Sequence, residues 1–187
     1  MNVSVINVDF RTGISQAVRH LYDLGHRRFA HVSGPMNLQT SRDRCDAFPE
    51  ALQAVGILAE SVTVVEGNLR VEGGQRAAHS LLRLAPLPTA VFTANDLTAM
   101  GLLTELRAQG LRVPDDLSII GLDDIWIAAH TEPALTTVAL PRYQIGQLAT
   151  RMLLDRLETG DMPSELERVR QVYTRLVIRR STGAIRV

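Results

Sequence analysis

Residues 88–124 read PTAVFTANDLTAMGLLTELRAQGLRVPDDLSIIGLDD and predict one complete unit of strand, helix and strand. Residues 89–93 form a short apolar run, which is typical of a strand covered on both faces in a parallel sheet. Asn95 or Asp96 then caps a predicted helix that ends at Gly110, because glycine is favoured at helix C termini. The second strand ends in the polar tetrapeptide GLDD. This unit predicts an α/β fold.

Polar side chains stand where both strands of this unit end, with Asn95 after the first and Asp123 after the second. In open parallel sheets, ligands bind outside the carboxyl ends of the strands. Arg44 follows the end of an earlier predicted strand, and arginine suits bidentate recognition of carboxylates, phosphates or vicinal hydroxyls. The three side chains are predicted to share one ligand site. For Arg44, the alternative is a solvated helix start paired with Asp43 or Asp46.

The rest of the chain repeats the alternation of strand and helix. Predicted strands begin at Phe29, Val62, Thr89 and Leu117, with helical segments between them. Such alternation is the sequence form of a doubly wound parallel α/β sheet. Because crossovers between parallel strands are right-handed, all four polar strand ends are expected at one edge.

Four further features complete the predicted architecture. Residues 133–141 are bracketed by prolines and are expected to form an extended linker. An amphipathic helix is predicted at 142–157. Residues 169–178 alternate apolar and polar side chains, as an edge strand does. A helix predicted at 41–55 contains Pro49, which cannot donate to the helix ladder, so this helix either kinks or restarts there.

Composition restricts the classes of protein to which the chain can belong. It has 187 residues, of which 45% are hydrophobic, and 20 Lys and Arg balance 20 Asp and Glu. With zero net charge, no global field attracts the chain to nucleic acid or to an anionic membrane. The single Cys45 excludes an intramolecular disulfide. Without a signal-like segment or an apolar run of about 20 residues, a cytoplasmic protein is expected.

No catalytic or metal-binding pattern is found. The nucleophile elbow, the P-loop and the dinucleotide fingerprint are absent, and the five histidines lack metal-ligand spacing. Asp123 and Asp124 are adjacent and point apart, so they favour a carboxylate that orients a ligand, or a helix cap, over an acid–base pair. We therefore expect no enzyme, no metal site and no cofactor. A hydrolase or phosphotransfer enzyme would need one of the missing motifs.

A series of short motifs runs along the chain in a characteristic order. They include LGHRR at 24–28, SGP at 33–35, AND at 94–96, GLRVPDD at 110–116, DD at 123–124, LTTV at 135–138 and RSTG at 180–183. By these motifs, nearly the whole chain resembles the effector-binding core of the lactose-repressor (LacI/GalR) family of bacterial transcription regulators.

The resemblance implies a periplasmic-binding-protein-like fold, of which the chain holds mainly the C-terminal lobe of a two-lobed clamshell. The implied division is residues 10–139 and 168–187 in the C-terminal lobe, with strand 1–9 and helix 141–162 as remnants of the N-terminal lobe. The chain is expected to cross between lobes near Asp9, near Leu140 and at 163–168. The family's helix-turn-helix headpiece, hinge helix and first half of the N-terminal lobe have no counterpart here.

The resemblance also assigns roles to particular residues. Arg44, Asn95 and Asp123 match family residues that contact the effector. Leu69 stands where many sugar-responsive members carry an aromatic residue that stacks on the ring. Together with Trp126, these residues form the expected ligand-binding set.

The implied function is regulatory. A small polar effector, such as a sugar or nucleobase, is expected to close two lobes and thereby control DNA binding by a headpiece, whereas this chain alone is not expected to bind operator DNA.

A homodimer is expected through the C-terminal lobe, using the outer face of helix 96–108 and the segment 126–130, because Trp126 and a second apolar helix face are typical of interfaces. The alternative is that the second apolar face of this helix is part of the hydrophobic core. The alternative is a periplasmic solute-binding protein, over which GLRVPDD and GLDD favour a regulator.

The apolar stripe of helix 142–157 carries a separate expectation. Its side chains include Leu148, Met152 and Leu153, and burying each is worth roughly 1.5 to 3 kcal/mol. In the family, the strands that cover this helix precede the segment matched here. We therefore expect another copy of the chain or further residues to cover it, or the helix to be displaced, with residues 3–8 pairing differently from the family pattern.

Overall fold

The structure, a computed structural model, describes residues 3–58, 60, 62–159 and 169–185. Strands and α-helices alternate along this part of the chain, in the order β1 (Val5–Asp9), α1 (Phe10–Asp23), β2 (Phe29–Ser33), α2 (Gln39–Gln53), β3 (Thr63–Glu66), α3 (Val71–Leu81), β4 (Ala90–Thr93), α4 (Asp96–Ala108), β5 (Ser118–Asp123), β6 (Thr136–Ala139), α5 (Arg142–Thr159), β7 (Val169–Tyr173) and β8 (Arg175–Val177). A short 3-10 helix, Trp126–His130, lies between β5 and β6.

Six strands form a large sheet in the order β3-β2-β4-β5-β6-β8. All neighbours are parallel except β6 and β8, which are antiparallel. Side chains of β4 alternate between the faces: Phe92 packs with α1 and α2, whereas Val91 packs with α3 and α4. Helices therefore cover both faces, which explains the near-continuous apolar strands. The predicted doubly wound α/β fold is confirmed.

The predicted linker at 133–141 is wrong, because β6 lies within it. Thr136–Ala139 is a buried strand parallel to β5. The two threonines satisfy their hydroxyls through distant partners, since Thr137 bonds Asp96 and Thr136 bonds Thr182. Neither bracketing proline lies within β6, so neither interrupts the sheet ladder.

The single strand predicted at 169–178 is also wrong. It is divided at Thr174 into β7, which pairs in parallel with β1 in a separate two-stranded sheet, and β8 in the large sheet. The Thr174 hydroxyl donates to the Asp9 carbonyl at 2.8 Å and accepts from the Gly13 N–H at 3.0 Å. The chain thus passes between the sheets at Thr174, and the crossing expected at 163–168 lies outside the described residues.

Proline does not divide α2, which continues through Pro49 as one helix. Its buried face includes Ala47, Phe48 and Leu52, all of which pack in the core beside α1. Burial of this face offsets the hydrogen bond that Pro49 cannot make.

Most of the second apolar face of α4 is further core. Helices α3 and α4 pack so closely that a Cβ on Gly74 would meet the Thr98 carbonyl, and one on Gly101 would meet the Val71 carbonyl. Leu102, Leu103 and Leu106 are buried. Among the leucine and methionine side chains of α4, Leu97 is exposed and Met100 is half-buried, so these two remain for apolar contacts with a partner.

Helix α5 packs on β1 and β7, and the apolar stripe is only partly covered. Ile145, Leu148 and Met152 are half-buried, whereas Leu153 and Leu157 are exposed. Coverage by another copy of the chain stays a prediction. No helix in the described ranges is long and apolar enough to cross a membrane.

Candidate ligand-binding site

Three of the predicted ligand residues meet at the carboxyl edge of the large sheet. Asn95 follows β4, Asp123 ends β5, and Arg44 comes from α2. Arg44 Nη2 lies 3.7 Å from Asp123 Oδ1. Arg44 also donates from Nη1 to the carbonyl of Ala94, the residue before Asn95, at 2.7 Å. The structure therefore places a guanidinium, a carboxylate and an amide in one cluster.

Burial holds the Arg44 side chain in this position. Only 9% of the residue is exposed, and the guanidinium carbon lies 4.6 Å from the centre of the Phe10 ring, within the range of a cation–π contact. Desolvation lowers the Arg44 pKa, against the opposing effects of Asp123 and Asp43. Arg44 Nε is buried without a hydrogen-bond partner. The alternative of a solvated helix start is not observed.

Asn95 both caps α4 and orders the neighbouring loop. Its Oδ1 accepts from the Thr98 N–H at 2.9 Å, and its Nδ2 donates to the Leu69 carbonyl at 2.9 Å. One amide N–H and one oxygen lone pair remain for a ligand. Leu69 has a left-handed φ of 61°, and its side chain lies against Gly34. Asn95 therefore places Leu69 beside the cluster.

Asp123 is a carboxylate in a poorly solvated position. Burial is the main cause that raises its pKa to about 6; the Arg44 and Arg142 charges lower it, and Asp96 raises it. Its neighbour Asp124 points elsewhere and bonds Arg179 Nη2 at 2.6 Å. The two carboxylates therefore point apart, and the sequence predicted this.

The sequence did not identify Asp96 as part of this site. The residue is fully buried at the start of α4, where it accepts hydrogen bonds from Thr137 Oγ1 at 2.5 Å and from the Ile125 N–H at 2.9 Å. Burial is also the main cause that raises its pKa. A Cβ on Gly121 would collide with its carboxylate. Through its hydrogen bond to the Ile125 N–H, Asp96 therefore stabilises the turn that carries Asp123.

Arg142 and Phe10 are two further residues that the sequence did not identify. Arg142 begins α5, and its guanidinium donates to the carbonyls of both Asp123 and Asp124. Phe10 follows β1 and provides the ring beneath Arg44. Arg142 falls in the helix predicted at 142–157, but helical periodicity does not show long-range contacts, so no sequence signal was available for these roles.

Trp126 lies outside the cluster. Its side chain belongs to the 3-10 helix after Asp123, is 76% exposed, and packs against the ring of His130 at 5.2 Å between centroids. The structure does not bring its indole to the Arg44, Asn95 and Asp123 side chains.

A cavity of about 580 Å³ is lined by Phe10, whose ring contacts Arg44, although Arg44, Asn95 and Asp123 themselves do not line it. Its lining includes Asn7, Asp9, Arg11 and Thr40. Cavities of about 300 to 1,000 Å³ are typical of small-molecule sites. The volume of this cavity lies within that range.

His31 supports the sheet beneath the site, as expected of a structural histidine. Its ring packs against those of Phe48 and Phe92, which also contact each other, and Nδ1 donates to the Phe92 carbonyl at 3.0 Å. Burial lowers its pKa to about 4. Within the described ranges, no group of three or more His, Cys, Asp or Glu residues could hold a metal ion.

Comparison with known proteins supports the resemblance found in the sequence. Residues 18–182 match the family model described as the periplasmic binding protein-like domain. The HTH-type transcriptional repressor CytR of Escherichia coli (strain K12) is 36% identical over 185 residues, which cover 99% of this chain and 53% of CytR. The chain spans about half the length of the curated relatives it matches.

Solved structures of similar proteins contain sugars. A LacI family transcriptional regulator from Enterococcus faecium with bound ribose has a TM-score of 0.90 at 31% identity, covering 99% of this chain and 67% of that chain. A complex of the transcriptional regulator CelR with cellobiose has a TM-score of 0.86 at 35% identity, covering 96% of this chain and 54% of that chain.

Proposed function

We propose that this chain, which belongs to the family of periplasmic binding protein-like domains, is the effector-binding part of a LacI-type transcriptional regulator. The curated relatives are transcriptional repressors or regulators, and two of the similar structures are regulators with sugars bound. These relatives favour a regulator over a periplasmic solute-binding protein, and they are not enzymes. A cytoplasmic location belongs to the same proposal.

The observation that carries the proposal is the arrangement of Arg44, Asn95 and Asp123. Arg44 and Asp123 lie 3.7 Å apart, longer than a direct charge-assisted hydrogen bond. A carboxylate accepts from ligand hydroxyls, and a guanidinium donates to them. With the remaining Asn95 amide groups, the cluster suits a small hydroxylated ligand such as a sugar or nucleoside.

The two sheets suggest how ligand binding is transmitted. The large sheet corresponds to the C-terminal lobe, and β1, β7 and α5 correspond to the N-terminal lobe. In this assignment β7 belongs with the N-terminal lobe and not, as the resemblance implied, with the C-terminal lobe, because it pairs with β1. In the whole regulator, closure of two lobes on the ligand controls a helix-turn-helix headpiece, which binds operator DNA; this chain alone does not.

A homodimer through the C-terminal lobe is part of the proposal. Leu97 on α4 is partly exposed, and Trp126 and Ile127 are exposed on the 3-10 helix. These two elements are joined where the Ile125 N–H bonds Asp96, the neighbour of Leu97. An exposed aromatic residue next to aliphatic ones is typical of an interface.

Calorimetry with a panel that contains ribose, cellobiose, nucleosides and amino acids tests ligand binding. Asp123→Ala is expected to weaken the binding of ribose or cellobiose by about 1.5 to 3 kcal/mol, because a desolvated carboxylate loses its hydroxyl partners. Asp46→Ala, an exposed change on the same helix as Arg44, is the matched control. Unchanged affinity in Asp123→Ala removes this residue from the site, and binding of no sugar contradicts the proposed ligand class.

A further inference from the structure

Two consecutive residues at the end of β5 have a left-handed backbone conformation. The φ angle is 121° at Asp123 and 54° at Asp124. Residues other than glycine rarely adopt positive φ, and they keep it only where surrounding groups hold the backbone. Because Asp123 carries the carboxylate opposite Arg44, the groups that hold this turn also determine where that carboxylate points.

Two of the holding groups belong to the large sheet and its helices. Asp96 at the start of α4 accepts from the Ile125 N–H at 2.9 Å. Arg179, which follows β8, bonds the Asp124 carboxylate at 2.6 Å. Neither contact involves the small sheet, because Asp96 lies in a helix that covers the large sheet and Arg179 follows a strand of that sheet.

Arg142 holds the turn from the other side. Its Nη1 donates to the Asp123 carbonyl at 2.6 Å, and its Nη2 donates to the Asp124 carbonyl. The planar guanidinium presents two donors in a fixed fork, which suits two neighbouring carbonyls and which a lysine ammonium cannot reproduce. Arg142 begins α5, and α5 packs on β1 and β7. This side chain therefore connects the turn to the small sheet.

We propose that Arg142 is a positioning residue for effector binding, because its clamp on the Asp123 and Asp124 carbonyls aims the Asp123 carboxylate only while α5 stays in place. The inference rests on the proposed function, and it links ligand affinity at the site to the position of the small sheet. When α5 moves away from the large sheet, the clamp opens and the ligand loses an oriented acceptor. By linkage, a ligand that prefers the clamped turn also favours the clamped position of α5.

Amide hydrogen exchange of the free chain tests the clamp without any ligand. In Arg142→Gln and Arg142→Lys, the Ile125 amide is expected to exchange about tenfold faster, because the turn opens locally more often. The Ile120 amide within β5 serves as an internal reference and should not change. Arg151→Gln, at an exposed arginine on the same helix, is the matched control. Unchanged exchange at Ile125 in Arg142→Gln overturns the clamp.

Ribose affinity, measured by calorimetry on the same variants, tests the positioning role. Arg142→Gln is expected to weaken ribose binding about tenfold, the loss typical of one hydrogen-bonded group. Arg142→Lys, which keeps the positive charge but not the planar pair of donors, should lose a similar affinity, whereas Arg151→Gln should lose none. No loss of affinity in Arg142→Gln, together with faster Ile125 exchange, contradicts positioning. If no sugar binds the unsubstituted chain, the proposed function fails, and the exchange result still decides whether the clamp exists.

Discussion

Arg44 and Asp123 face each other at the carboxyl edge of the large sheet, with 3.7 Å between Nη2 and Oδ1. The charges attract, yet the separation leaves hydrogen-bonding capacity on both groups. Arg44 is anchored independently by the Ala94 carbonyl and the Phe10 ring. A ligand hydroxyl can therefore bridge the pair without displacing the guanidinium. The same arrangement leaves Asp123 poorly solvated, which has measurable consequences.

Asp123→Asn should stabilise the fold while it weakens ligand binding. Burial raises the pKa of Asp123 to about 6 in the folded chain, compared with about 4 for an unperturbed aspartate. Folding therefore disfavours the ionised form, at a cost that is complete above pH 6 and disappears below pH 4. At pH 7 the free energy of unfolding should rise by about 1 to 3 kcal/mol in urea titrations. The gain should vanish at pH 4; a gain that persists there contradicts this explanation.

Ligand affinity should depend on pH through the same carboxyl group. If the Asp123 carboxylate accepts from ligand hydroxyls, ribose binding weakens as pH falls below about 6, by up to about tenfold per pH unit. Calorimetry between pH 5 and 8 measures the profile. In Asp123→Asn the remaining affinity should lose this dependence. A flat profile in the unsubstituted chain contradicts the role of Asp123 as an ionised acceptor.

His31 should lower the stability of the fold at acidic pH, whereas Asp123 lowers it at neutral pH. Burial is the main cause of its pKa of about 4 in the folded chain, below the value of about 6.5 for an unperturbed histidine. Below pH 6.5 the unfolded chain binds a proton that the folded chain does not, so this contribution to stability is lost as pH falls towards 4. His31→Phe keeps an aromatic ring in contact with Phe48 and Phe92. Chemical unfolding across this range should therefore show a smaller acid-induced loss in the variant.

Two glycines in helices should respond to alanine in opposite ways. At Gly101 an added Cβ meets the Val71 carbonyl across the contact between α3 and α4, whereas at Gly146 nothing lies within 4 Å. Gly101→Ala should lower the free energy of unfolding by about 2 to 4 kcal/mol, because packed backbones must separate. Gly146→Ala should raise it by about 0.5 to 1 kcal/mol, through helix propensity. Urea unfolding of both variants measures the difference, and equal effects contradict the close packing of α3 and α4.

Fluorescence should separate the two roles considered for Trp126. It is the single tryptophan of the chain, and its indole is exposed. If it lies in a dimer interface, its emission shifts to the blue as protein concentration rises, because the interface removes water from the ring. Trp126→Asp should then give a monomer in light scattering at tens of micromolar. A shift caused by ribose and independent of protein concentration assigns Trp126 to the ligand site instead.

Local pattern was sufficient for much of the fold and for part of the site. Strand β4 was predicted because a strand covered on both faces is nearly all apolar. Asn95 and Asp123 were predicted at one edge because parallel strands end there, and Arg44 joins them as expected. The roles of these residues, and of Leu69, in ligand binding remain proposals.

The errors share a physical cause. Residues 136–139 were predicted as part of a linker because prolines bracket the segment, but they pair with β5, and Thr137 donates its hydroxyl to the distant Asp96. The final strand looked continuous because nothing local marks Thr174, whose partners are Asp9 and Gly13. In both cases the deciding hydrogen bond joins residues far apart in the chain.

Apart from β6 and the division between β7 and β8, the sequence by itself determined the order of strands and helices. It also determined the family and the strand ends that carry polar groups, because these depend on periodicity and short motifs. Only the tertiary structure decided that Asp96 is buried, that the pKa of Asp123 is raised, and that Arg142 clamps the turn. Burial and long-range hydrogen bonds depend on which elements meet in space. Residue spacing along the chain does not carry that information.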